Sequence, residues 1–320
     1  MIKGNNNPWE PMNIGSSRRI NSEIPHDVFW IKDEQGNYGF FLQSAEKFKS
    51  PETDIRLKGV TLIKRNTISC GELFLILNKR SDWELFLSLC KDILSVCIAY
   101  SSNSKMVHAV EARLKRWQVF LMQNNDPFMS VELQMGLFTE LTCLRNLMPI
   151  YGVKDSIIAW CGPERDRKDF NFPNVMFEVK SFKTSKGPEI IISSAHQLLK
   201  GSKPLYIVSY GLTPSEKGSS VKNIVSELDN LLKDESLLTR QLFENKVISY
   251  GYMPDMNDNT LIKFTIDNLR VFEITDDFPR LVPQHVPSEI IKLNYTLDLE
   301  LCKKHERLTS AIFKEHPKRL

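Results

Sequence analysis

Three residues in the middle of the chain have the types and spacing that phosphodiester chemistry requires. Asp169 closes a charged turn, and nine positions later Glu178-Val179-Lys180 lies inside the apolar run NVMFEVKSF. In an extended strand alternate residues share a face. Glu178 and Lys180 therefore point the same way, while Phe177 and Val179 pack elsewhere, with Phe182 assigned to that second group. Carboxylates placed like this hold a hard cation such as Mg²⁺. An ammonium beside them polarises the attacking water or neutralises developing charge. The pattern is degenerate, and an ordinary solvated strand face carries it too. Its setting favours chemistry, because the strand otherwise reads as core, where charges are seldom placed without a reason.

The elements that must position these residues can be read from periodicity. Residues 1–20 form a loose polar lead. VFWIKDEQGNYGFFLQS, IRLKGVTLIKRN and CGELFLILNKR then predict a small β-rich region, with a turn at Gln35-Gly36-Asn37. DWELFLSLCKDILSVCIAYS, with Asp82 as N-cap, and SKMVHAVEARLKRWQVFLMQ carry helical spacing. After a break at Asp126-Pro127, SVELQMGLFTELTCLRNLM starts a third helix at Ser130. DSIIAWCG, DFNF, NVMFEVKSF, PEIIIS and PLYIVSYGL read as strands, with SSAHQLLKG as a short helix between the last two. Helices over SSVKNIVSELDNLLKD and LLTRQLFENK follow. VISYGYM, LIKFTIDNLRVFEIT and EIIKLNYTLDL then read as a separate antiparallel unit, before the basic tail KEHPKRL. The expected fold is α/β, a mixed sheet flanked by helices with β-rich N-terminal and C-terminal extensions. The expected boundaries are 1–104, 105–246 and 247–320.

Composition narrows the chemistry. No apolar stretch is long enough to span a bilayer, and MIKGNNNPWEPMN has no apolar signal core, so a cytoplasmic protein is expected. The six cysteines are scattered and form no C-x-x-C pair, which fits buried reduced thiols better than disulfides or structural zinc. The net charge is only +3, so a nucleic-acid surface would have to be a local patch. Arg165, Arg167 and Lys168, and then Lys183 and Lys186, flank the acidic pair and are the candidates, with solvated faces as the plain alternative. No G-x-x-x-x-G-K-[ST] or H-E-x-x-H motif is present.

The order of an acidic helix, a meander with Asp and then Glu-x-Lys, and a following helix resembles the PD-(D/E)XK core of restriction endonucleases and repair nucleases. On that resemblance Glu140 in GLFTELTCLRNL is the helix acid, and Gln197 in SSAHQLLK matches a glutamine found in several branches. From about residue 8 to 302 the chain is similar to a bacterial family of PD-(D/E)XK motif proteins. The similarity runs through DVFWIKDEQGNYGFFL, GLFTEL, AWCGP, DFNF, FEVKSF and DDFPRL…NYTLDL, and includes Phe278, Pro279, Arg280 and Leu281. The literal "PD" is missing, since Lys168 precedes the aspartate.

The resemblance implies a metal-dependent DNA endonuclease. Asp169, Glu178 and the Val179 carbonyl would hold Mg²⁺, with Mn²⁺ as a substitute. Lys180 would orient or activate the water. Glu140 would bind a second metal directly or through water, and Gln197 would hold the phosphate or the water. The implied setting is the nuclease component of a restriction-like anti-phage system with a DNA methyltransferase or ATPase as partner, and a homodimer if both strands are cut. The alternative is a catalytically silent DNA-binding or assembly subunit of such a system.

Overall fold

The computed structural model describes residues 7–21, 23–48, 55–123, 129–164, 168–253 and 260–309. The break at Asp126-Pro127, the basic residues Arg165 and Arg167, and the tail KEHPKRL lie outside them. The chain divides into two compact units, Met1–Pro127 with Met253–Asp258, and Phe128–Tyr252 with Asn259–Leu320.

The first unit holds β1 (Ser16–Arg19), β2 (Asp27–Lys32), β3 (Tyr38–Ser44), β4 (Val60–Asn66), β5 (Gly71–Leu77), α1 (Trp83–Ala99) and α2 (Asn103–Gln123). The strands form an antiparallel sheet in the order β1-β2-β3-β5-β4. Period-two burial builds it: Leu73, Leu75 and Leu77 are buried while Phe74 and Ile76 are half-buried on the opposite face. The β2–β3 turn forms where expected, with Gly36 at φ 76° and the Asp33 carboxylate accepting the Gln35 and Asn37 N–H groups. Asp82 precedes α1, but its side chain makes no capping bond. The buried Asp92 of α1 accepts a hydrogen bond from the Trp117 indole of α2 at 2.8 Å and pairs with Arg113 at 3.5 Å. The second helix thus belongs to this unit rather than to the catalytic core expected from residue 105.

The polar lead is not loose. Trp9 is fully buried, donates its indole N–H to the Gly39 carbonyl at 2.7 Å, and packs against Trp30, Tyr38 and Phe86. Ser16–Arg19 adds a strand to the sheet.

The second unit holds α3 (Val131–Tyr151), α4 (Val153–Ala159), β6 (Phe170–Asn171), β7 (Met176–Lys183), β8 (Glu189–Ile192), β9 (Leu205–Ser219), α5 (Val221–Leu231), α6 (Leu237–Tyr250), β10 (Phe264–Glu273), β11 (Tyr295–Asp298) and β12 (Glu306–Arg307). Its main sheet runs β12-β10-β9-β7-β6 and is mixed, since β7 and β9 are parallel and the other pairs antiparallel. Ser130 caps α3 as expected, its hydroxyl accepting the Leu133 N–H at 3.2 Å. On one face Phe177 touches Phe172, which stacks on Tyr151 of α3. On the other, Met176 and Phe182 pack with Ile190, Ile192, Leu198, Ile207, Phe278 and Leu299. Phe182 therefore shares the face of Glu178 and Lys180, as the alternation of β7 requires, and is not with Phe177 and Val179.

Several expected elements change. DSIIAWCG is mostly helix, α4, because a short apolar run reads equally as buried strand or buried helix. Residues 193–201 form turns instead of a helix; a segment this short gains little from nucleating one. VISYGYM begins as the last turn of α6, and β8 pairs with β11 in a small ladder of its own. β10 joins the main sheet through β9, so the C-terminal strands complete the second unit and are not a third one.

Trp9→Ala is expected to cost about 3–5 kcal/mol, read by denaturant unfolding. A loss under about 1 kcal/mol would show that the lead adds nothing to this core.

Candidate active site

The site is built at the edge of β7. β6 pairs only Phe170 with Phe177 and Asn171 with Met176. Farther along, the Val179 N–H has no strand partner on that side and donates to Asp169 Oδ2 at 2.7 Å. In a strand the N–H and C=O of one residue leave by the same edge, so the Val179 carbonyl also lies on the Asp169 side. The loop before β6 fixes this aspartate: its carbonyl accepts the Cys161 and Gly162 N–H groups at 2.7 and 3.2 Å, and Trp160 bridges to Phe170. Glu178 is 1% exposed and lies 2.8 Å from the Lys180 ammonium. That contact is an ion pair without hydrogen-bond geometry, and neither Glu178 oxygen has a hydrogen-bond partner.

Glu140 approaches from α3. Its Oε2 accepts the Trp160 indole N–H at 2.7 Å and its Oε1 accepts the Tyr250 hydroxyl of α6 at 2.8 Å. Two glycines make the room. A Cβ at Gly136, one turn earlier on α3, would lie 2.7 Å from the Tyr250 oxygen, and one at Gly162 would lie 2.0 Å from Glu140 Oε2. Lys246 of α6 holds the Trp160 end by donating to the Trp160 carbonyl and pairing with Glu164 at 3.1 Å.

These groups act on one another electrostatically. Burial pushes the Glu178 carboxyl up to about 8, Asp169 adds to the rise, and Lys180 opposes it. Burial and then Asp169 hold Glu140 well above the usual carboxylate range, against the bonds from Trp160 and Tyr250. Asp169 is raised by burial and pulled back by Lys180, the Val179 N–H and Lys168. Burial works to lower Lys180, but Glu178 and Asp169 outweigh it and keep the ammonium charged.

The structure thus brings Asp169, Glu178, Val179, Lys180 and Glu140 together. Gln197 is different: its Oε1 accepts the Ser193 N–H at 2.8 Å and serves the local turn. Lys168 is buried and donates to the His196 carbonyl at 2.9 Å and to the Gln197 carbonyl. It ties that turn to the site instead of offering the open DNA contact expected of it. Lys183 and Lys186 remain accessible at the end of β7, Lys183 lying 4.0 Å from Glu132. Sequence reasoning missed Trp160, Gly162 and Tyr250. Trp160 and Gly162 lie in AWCGP, which was conspicuous without a role, and Tyr250 was hidden in a segment read as strand.

Among the described residues no three His, Cys, Asp or Glu side chains lie close enough to hold a metal ion together. Both Glu140 oxygens are already hydrogen-bonded, which accounts for its standing apart from a direct ligand role. Mg²⁺, however, is commonly held by one or two carboxylates with water and substrate oxygens completing the shell. The Glu178 oxygens, of which Oε1 is ion-paired to Lys180 and neither is hydrogen-bonded, the remaining oxygen of Asp169 and the Val179 carbonyl fit such a cation.

Since the Glu178 pKa is raised from its ordinary 4.5, its stabilising contribution to the metal-free fold is present below 4.5 and lost as pH rises through about 8. Glu178→Gln is therefore expected to match the parent melting temperature near pH 5 and exceed it by about 2 °C or more at pH 8 without divalent ions. Millimolar Mg²⁺ should narrow the gap by stabilising the parent alone. Equal melting curves at pH 8 would contradict the raised pKa that burial and Asp169 give this carboxyl. Gly162→Ala should displace Glu140 and cost about 1–3 kcal/mol by overpacking, measured by denaturant unfolding.

No curated protein and no solved structure matches the chain. A family model described as "Putative PD-(D/E)XK family member, (DUF4420)" matches residues 5–300. With nearly the whole chain covered, including every residue of the carboxylate cluster, the protein belongs to this PD-(D/E)XK family.

Proposed function

We propose that this chain is a metal-dependent endonuclease that hydrolyses DNA phosphodiester bonds. The observation that carries the reading is Glu178, buried beside Lys180 with neither carboxylate oxygen hydrogen-bonded. A carboxylate is seldom left so in a folded interior unless something else completes it. Asp169, Glu178 and the Val179 carbonyl would hold Mg²⁺, with Mn²⁺ as a substitute. Bound there, the cation would supply Lewis acidity toward the phosphoryl oxygens.

The protein's own groups do the rest. Because the neighbouring carboxylates keep Lys180 protonated, its role is to donate a hydrogen bond to the attacking water and to offset negative charge developing on the phosphoryl oxygens. It is not the base. The Val179 N–H holds Asp169 in place. Glu140, gripped by Trp160 and Tyr250 and held well above the usual carboxylate range, ties α3 and α6 to the segment that leads into Asp169 and is not itself a base. Lys183 and Lys186 would meet the DNA backbone on either side of the scissile bond.

The biological setting we infer is a restriction-like anti-phage system in which a methyltransferase or ATPase partner governs access to DNA. Two copies of the chain would supply the two centres that double-strand cleavage needs. Family membership and the intact acidic pair and lysine support the nuclease chemistry; the setting is what the resemblance to PD-(D/E)XK motif proteins implies.

Plasmid cleavage with Mg²⁺ tests the reading. Asp169→Asn, Glu178→Ala and Lys180→Ala are each expected to lower the rate by about 10²–10³-fold without loss of folded signal in circular dichroism. Unchanged cleavage by these variants would place the chemistry elsewhere. A folded parent chain that binds DNA and Mg²⁺ but does not cut would mark a silent DNA-binding subunit.

A further inference from the structure

Arg280 stands in the FPRL segment, to which the mechanism above gives no role. Its turn is well fixed. The Ile274 N–H donates to the Leu205 carbonyl at 2.9 Å, the Phe278 N–H donates to the Thr275 carbonyl at 3.2 Å, and the Phe278 ring is buried in the cluster that includes Phe182. That cluster lies on the face of β7 that carries Glu178 and Lys180. Next along the chain, the Leu281 N–H donates to the Tyr295 hydroxyl at 3.2 Å, and Tyr295 packs on the same cluster.

The guanidinium leaves this turn largely desolvated and poorly matched. Its side chain is 13% exposed, and Nη1 is buried without a hydrogen-bond partner. Its nearest carboxylate is Asp276, which is 93% exposed and 3.9 Å from Nη2, too far for a hydrogen bond. Burial raises the Tyr295 phenol, while the bond from the Leu281 N–H and then the charges of Arg280 and Lys180 pull it down, so both cations act on this hydroxyl. A buried guanidinium without a matching anion is costly, and its planar fork suits phosphate oxygens.

We propose that Arg280 is a substrate-binding residue of this site, its guanidinium taking a non-bridging oxygen of a DNA phosphate beside Lys180. The inference rests on the nuclease reading for the identity of the phosphate, but it concerns binding and is testable without turnover. Arg280 brings a second positive group from the C-terminal segment to the face where Lys180 stands. That gives the FPRL segment a reason to belong to the catalytic unit.

The test is binding of a fluorescent DNA duplex to the full chain in Ca²⁺, followed by anisotropy across a salt series, alongside plasmid cleavage in Mg²⁺. Arg280→Ala is expected to weaken binding about tenfold, to reduce the salt slope by about one, and to slow cleavage about 10²-fold. Arg280→Lys should recover part of the binding and the full slope, since it restores the charge but not the fork. The melting temperature of Arg280→Ala should not fall, because no bond of the folded state is lost; a fall with parent-like DNA affinity would mean a structural role and overturn the proposal. Parent-like affinity and salt slope in Arg280→Ala would also overturn it, whatever the cleavage rate. If the parent binds but does not cut, and Arg280→Ala still weakens binding, the nuclease reading falls and the phosphate contact stands. If the parent does not bind the duplex at all, both fall.

Discussion

Repulsion among buried carboxylates is the constraint on which the second unit depends. Glu140, Asp169 and Glu178 come from a helix, a loop and a strand; burial raises all three, Asp169 raises both Glu140 and Glu178 further, and Glu178 adds to the rise at Glu140. In a low-dielectric interior like charges at short range are mutually destabilising, and desolvation adds to the cost. The surrounding structure opposes this at each position. Trp160 and Tyr250 donate to Glu140, the Val179 N–H donates to Asp169, and Lys180 pairs with Glu178. The scaffold thus holds together groups that would separate if left free. Such stored electrostatic tension is a common property of sites whose binding partner is a cation.

Much of the unit serves this single purpose. Gly136 and Gly162 remove the side chains that would block Tyr250 and Glu140. Lys246 and Lys168, both buried, spend their ammonium groups on backbone carbonyls of the segments that deliver Trp160 and the 196–197 turn. The sheet contributes through β7 and β9: their parallel pairing runs from Met176 to Lys183, and so holds Glu178 and Lys180 against a long, buried neighbour. Local polar contacts therefore decide where the acids sit, and the apolar sheet decides that they do not move.

The shared face of Glu178 and Lys180 was more legible in the sequence than the frame around it. Glu178 and Lys180 share a face because strand alternation leaves no choice, and Ser130, Gly36 and the amphipathic helices announce themselves by local rules. Asp169 was read from its spacing to the Glu-x-Lys pair, Glu140 only through family resemblance, and their placement depends on the Trp160–Phe170 bridge, a tertiary contact that no window of sequence contains. The errors have a common origin. Segments such as DSIIAWCG and VISYGYM are short and apolar, so periodicity cannot separate strand from buried helix. SSAHQLLKG has helical composition but too few residues to nucleate. Trp9 sits among Asn and Pro, and a single anchoring ring in a polar lead leaves no periodic trace.

The brevity of β6 has a consequence beyond placing Asp169. A sheet edge with unpaired N–H groups is a template on which other chains can add a strand. At Val179 that template is closed by a side chain, since Asp169 occupies the N–H that an incoming strand would need. The acid thus protects the fold against misassociation as well as serving the site. Extending β6 by a few residues would satisfy the backbone equally well, but would bury the carbonyl that faces the acids. A longer β6 would therefore occupy the edge at which Asp169 and the Val179 carbonyl now lie.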